Sequence, residues 1–228
     1  MPGIRSAVRL AATDLYFNLI RLVPANLAWG LGFVVVLGMV ALGATVPGLL
    51  LAPLLALPLV AIARLAGEIV RGEEVVLSDA WGAVRELAGP ALVAGAITVG
   101  VTFVLLSNVR LGLTAGTVPA LAMGVAAGWG LVALWLGALP FWILLADPAR
   151  RGRSALMAAR EAATLLLVEP ARLLLLAVVV TAVLVIGSVL VAALLAVAVA
   201  YAALVTARVV LPVADHLAGS PEYASSPD

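Results

Sequence analysis

The chain alternates between long uncharged blocks and short charged islands. Residues 23–63 run 41 positions without a charge. One straight helix of that length would measure about 60 Å, twice the roughly 30 Å hydrocarbon core of a bilayer. The block must therefore fold back, and Gly43-Ala44-Thr45-Val46-Pro47-Gly48 supplies the turn. The pattern predicts spans near 24–44 and 48–68, the second kinked by Pro53 and Pro58. Pro90 opens a third span near 90–108, and Pro119 opens a fourth near 119–145. Between Arg172 and Arg208 lie 35 uncharged residues, again too long for one crossing. A break at Gly187-Ser188 splits this block into spans near 170–187 and 189–210; a single span is the alternative.

The segments between the blocks have amphipathic periodicity. Helices lying in the membrane interface are expected near 5–22, 77–88 and 154–168. Ser6, Ser78 and Ser154 are their candidate N-caps. On the second, Leu77, Ala80, Trp81, Val84 and Leu87 fall on one face. Each such helix is followed by a proline (Pro24, Pro90, Pro170) and a pair of spans, a pattern repeated three times without strong residue identity. Residues 1–213 form one all-α polytopic membrane domain of about six transmembrane helices in three hairpins, and residues 214–228 a polar, disordered tail. Small residues suggest packing seams at Ala120, Gly124 and Gly128, and at Ala193, Ala196, Ala200, Ala203 and Ala207.

Composition enforces the membrane reading. The chain of 228 residues is 65% hydrophobic and 11% charged, with a mean hydropathy of +1.24. Soluble domains carry about 45–50% apolar and about 25% charged residues. No cleavable leader is evident, because the first apolar run is long enough to remain as a span. All 13 basic residues are arginine. With six spans, twelve of them fall on one side and only Arg110 on the other. The positive-inside rule then places both termini in the cytoplasm of a multi-pass plasma membrane protein. A net charge of +1 gives no electrostatic case for nucleic acid. There is no cysteine and only one histidine, His216, so thiol chemistry is excluded and no cofactor or metal set is expected.

Two islands hold the remaining candidates. In the first, residues 64–87, Arg64 and Glu68 stand four apart at the expected end of the second span and can pair there. Trp81 and Arg85 on the second interfacial helix, with Arg160 on the third, form a candidate partner-docking surface. In the second island, residues 147–169, Arg150, Arg151 and Arg153 are candidate contacts to anionic lipid headgroups. The span centres hold no ionisable residue of the kind a pump keeps at mid-membrane. No Gly-rich phosphate loop, Gly-x-Ser-x-Gly or His-Glu-x-x-His motif occurs.

Residues 26–86 resemble the YesL-like family, bacterial integral membrane proteins of unknown function. The resemblance rests on Asn26-Leu27-Ala28-Trp29 at the first span, Pro47-Gly48 at the hairpin, and Val70-Arg71-Gly72-Glu73-Glu74 followed by Asp79-Ala80-Trp81. The hairpin departs from the family's Leu-Pro-x-x-Thr-like run. The resemblance implies an accessory or scaffold role beside a carbohydrate transport system, with ABC-type sugar transporter subunits as partners, and carries over no catalytic residue. A small-solute permease, suggested by the prolines within spans, and more weakly a membrane-embedded enzyme are the alternatives. Oligomeric state is open.

Overall fold

A computed structural model describes residues 3–219. They form ten α-helices: α1 (Ile4–Phe17), α2 (Leu19–Ala41), α3 (Thr45–Leu51), α4 (Ala56–Val70), α5 (Leu77–Thr114), α6 (Val118–Ala146), α7 (Ala155–Val168), α8 (Pro170–Val189), α9 (Val191–Ala193) and α10 (Val199–Leu217). Among the described residues there is no strand. Six helical stretches are long and apolar enough to cross a membrane: Leu19–Ala41, Thr45–Val70, Leu77–Thr114, Val118–Ala146, Pro170–Val189 and Leu195–Leu217. The protein is an all-α polytopic membrane protein.

The last span is the axis of the bundle. Alanines recur along it, yet they do not form the expected one-sided seam. From Val199 to Asp215 nearly every position is buried, with α1, α4, α6 and α8 packed around it. Its small side chains let neighbours approach from several directions at once. The break before it falls at Leu190, not at Gly187-Ser188. Ser188 donates its hydroxyl to the Leu184 carbonyl at 2.7 Å, so it is satisfied inside the helix and does not end it.

Two further features, at Pro90 and at the helix caps, differ from the sequence reading, while the prolines of the second span interrupt it as expected. Pro90 does not open a span. It lies within α5, a 38-residue helix of about 57 Å at 1.5 Å per residue, so the interfacial helix expected near 77–88 is fused to the third span. Ala80, Ala83, Leu87, Ala91 and Gly95 form one buried stripe that runs through the proline, and α4 packs along this helix. Continuous packing outweighs the local breaking signal. In the second span, Pro53 and Pro58 remove two backbone donors, and residues Ala52–Leu55 wind as a 3₁₀ turn between α3 and α4. The capping pattern is also uneven. Ser154 accepts from the Met157 N–H at 3.3 Å as an N-cap should, while α1 starts ahead of Ser6 and α5 is capped through Asp79 Oδ2, which accepts from the Val76 N–H at 2.7 Å.

Of the seam expected on the fourth span, Ala120 and Gly124 pack against α5 and Gly128 does not. A Cβ on Gly112 would stand 2.7 Å from Gly124 Cα and 2.7 Å from the Ala120 carbonyl oxygen, so the two backbones touch there. Nothing lies within 4 Å of the corresponding point on Gly128.

Candidate functional site

The C-terminal ends of α4, α6 and α10 meet α7 at one end of the bundle, and their charged residues interlock there. Arg71, one residue beyond α4, grips Asp147 with both arms of its guanidinium: Nε donates to Oδ1 and Nη2 to Oδ2, each at 2.7 Å. This fork matches a carboxylate's two oxygens. Arg150, in the 3₁₀ turn after α6, also donates to Asp147 and reaches Asp215 Oδ1 at 2.8 Å. Asp215 lies in the last turn of α10 and is also 3.3 Å from Arg71. Arg150 Nε donates to Glu161 of α7 at 3.2 Å, and Arg153 donates to the same carboxylate. Three arginines and three acids thus form a neutral clasp that ties four helices together.

Burial makes this clasp count. The side chain of Asp147 is fully buried, and those of Arg71, Arg150 and Asp215 nearly so. Burial alone would raise the Asp147 carboxyl, but hydrogen bonds and charge from Arg71 and Arg150 prevail and hold it below the usual carboxylate range. Burial likewise disfavours charge on Arg71 and Arg150, and the facing Asp147 and Asp215 carboxylates more than restore it.

These findings correct two sequence expectations. Arg150 is not available to lipid headgroups, because its charge is spent inside the clasp. Arg151 and Arg153 are the exposed members of that trio, and Arg153 is already engaged with Glu161. Nor does the polar tail begin at Ala214: α10 continues to Leu217, and Asp215 is held by two arginines. Residues 220–228 of the expected tail lie outside the described residues.

Arg64 is 2% exposed, and its carboxylate partner is Glu86, not Glu68. Arg64 Nη2 donates to Glu86 Oε2 at 3.0 Å, and Arg151 Nε stands 3.9 Å from the same oxygen. The pair therefore joins α4 to the first turns of α5. Glu68 is buried one turn further along, and its Oε2, like Arg64 Nη1, has no hydrogen-bond partner among the described residues. The i, i+4 spacing suggested an intrahelical pair, but the α5 helix running beside α4 presents a closer acid.

Trp81 is 58% exposed, with the Arg85 guanidinium 5.2 Å above its ring, a cation–π contact. Leu77, Ala80, Trp81 and Val84 line an apolar crevice of about 610 Å³ against α2 and α4. Arg160 is exposed on α7. Among the described residues no hydrogen bond or ring contact joins it to the Trp81–Arg85 pair.

A second polar feature lies deeper. Residues Leu194–Ala198, ahead of α10, wind as a π-helix. Such a turn leaves backbone groups without their usual partners. Asn26 of α2 meets both: its Nδ2 donates to the Leu195 carbonyl at 2.7 Å, and its Oδ1 accepts from the Ala200 N–H at 2.8 Å. The backbones are close enough there that a Cβ on Gly30 would stand 3.0 Å from Leu195 Cα. The sequence offered one signal for this role, a lone amide within an otherwise apolar span. Next to this joint lies a partly open, tryptophan-lined cavity of about 450 Å³.

No family model, curated protein or solved structure matches the chain.

Proposed function

We propose that the chain is a non-enzymatic membrane protein serving as an accessory or scaffold component for a transport system. The observation that carries this reading is the charged end of the bundle. A clasp of six charged residues, four of them buried or nearly so, fixes the helix ends as a rigid platform. Beside it stand an exposed tryptophan–arginine pair on α5 and the exposed Arg160 on α7. Exposed Trp and Arg are the residue types that dominate binding hot spots. The apolar crevice next to Trp81 extends that surface into the span region, where a partner's transmembrane helix can pack.

The nature of the partner rests on the resemblance of residues 26–86 to the YesL-like family, which favours ABC-type sugar transporter subunits. Twelve of thirteen arginines on the clasp side favour a cytoplasmic orientation for that end and for both termini, in a bacterial inner membrane. Affinity capture of the full chain from mild detergent tests the reading. Transporter subunits should be recovered with the native chain and reduced by Arg85→Glu and Arg160→Glu. Recovery of the chain alone, or of the same subunits undiminished by both substitutions, would count against it. The lining of the larger cavities is mainly apolar. Among the described residues no ionisable side chain borders the two that lie within the spans, where the polar groups are uncharged ones of Thr and Trp, which favours this scaffold role over passage of small polar solutes.

A further inference from the structure

The cavity beside the π-helix is walled by α2, α4, α5, α6, α8 and α10. Three of the chain's five tryptophans, Trp29, Trp135 and Trp142, line it, and among the described residues no ionisable side chain does. Its inner wall includes Ala63, Ile143, Val180 and Ala202, all buried. Trp135 stands at its rim, 37% exposed, and donates Nε1 to the exposed Thr181 hydroxyl at 3.1 Å, bridging α6 to α8. We infer that this cavity is a binding site for one hydrocarbon chain of a membrane amphiphile, entering sideways from the bilayer past the Trp135–Thr181 bridge.

Size, chemistry and rigidity support this occupant. An apolar cavity of about 150 Å³ takes a six-carbon benzene, so a space of about 450 Å³ takes roughly eighteen non-hydrogen atoms. That is the size of one acyl chain. A polar solute would lose its hydration for little return. The polar lining is limited to indole and threonine groups, and the Thr98 and Thr206 hydroxyls already donate to the Ala94 and Ala202 carbonyls. The walls cannot simply collapse inward. Asn26 locks the backbone where α10 begins, and Trp29 is stacked on Phe33 with centroids 5.1 Å apart. Left empty, a space of this size would forfeit packing contacts along its whole lining. Hydrocarbon chains are what the surrounding bilayer supplies.

The full chain reconstituted in vesicles of phosphatidylcholine carrying a diazirine near the end of one acyl chain provides the test. After irradiation, labelled residues are mapped by mass spectrometry. Lipid packed around the outside reaches exposed positions such as Val178 and Val185, but not the buried wall of the central helix. Labelling within residues 199–206 is therefore the expected signature. Ala202→Phe, which fills the cavity, should cut that labelling at least fivefold and leave labelling at Val178 and Val185 unchanged. Ala203→Phe on the same wall replaces it if the first variant fails to assemble. No labelling of residues 199–206, or labelling that survives the filled cavity in a folded variant, would overturn the assignment.

Discussion

Asp147→Ala is the most severe test of the clasp. The substitution removes the carboxylate that accepts both arms of Arg71, an arm of Arg150 and the Ala149 N–H, the last at 3.2 Å. Hydrogen bonds to charged groups contribute about 1.5–3 kcal/mol each, but they are not additive here, because all share one carboxylate. The larger effect is that two buried guanidinium groups keep their charge and lose their main counter-ion. Removing one partner of a buried pair costs about 3–5 kcal/mol, and Asp215 remains to compensate part of it, so a loss of about 3 kcal/mol is expected. Reversible unfolding in mixed detergent micelles, followed by tryptophan fluorescence, measures it. Arg71→Leu alone should cost about as much, since it strands the buried Asp147. The double variant Arg71→Leu/Asp147→Leu should cost less than the sum of the two single losses, because no uncompensated pair member is left at that position. An Asp147→Ala variant within about 0.5 kcal/mol of the native chain would refute the reasoning, as exposed pairs behave that way and buried ones do not.

Other consequences are open to measurement. Asp147 is held below the usual carboxylate value of about 4, so the clasp's contribution is complete above that pH and is lost as pH falls through the lower folded value. Stability should therefore fall below about pH 4, and Asp147→Asn should flatten that fall. Asn26→Leu strands the Leu195 carbonyl and the Ala200 N–H, and a loss of about 2–4 kcal/mol in the same unfolding assay is expected. Gly112→Val forces a branched side chain against the α6 backbone where a Cβ alone would stand at 2.7 Å. It should sharply reduce the yield of monodisperse protein in detergent, whereas Gly128→Val, facing open space, should not.

The fold class and the spans were legible because the bilayer imposes a length on any uncharged run. The amphipathic periodicity of residues 154–168 likewise marks α7. What escaped sequence reasoning depends on contacts between distant residues. Pro90 signals a helix start locally, but a buried stripe on either side of it keeps α5 continuous. Arg64 and Glu68 have ideal spacing for a pair, yet Glu86, 22 positions away in sequence, takes the arginine. The clasp was the least legible part. Arg71, Asp147, Arg150 and Asp215 lie in three separate segments, and each alone is typical of a solvated span end. Only the convergence of α4, α6 and α10 makes them one buried group. A lone acid such as Asp215, directly after an apolar run, is the one mark that the helix continues into protein and not into water.

The central functional claim is that the clasp end of the bundle holds a partner. A photoreactive phenylalanine analogue placed at position 81 or 160 of the full chain, irradiated in living cells, tests it most directly. A discrete protein adduct that contains a transporter subunit is expected at both positions, and it should weaken when Asp147→Ala loosens the platform. Adducts with lipid alone, or none at either position, would contradict it.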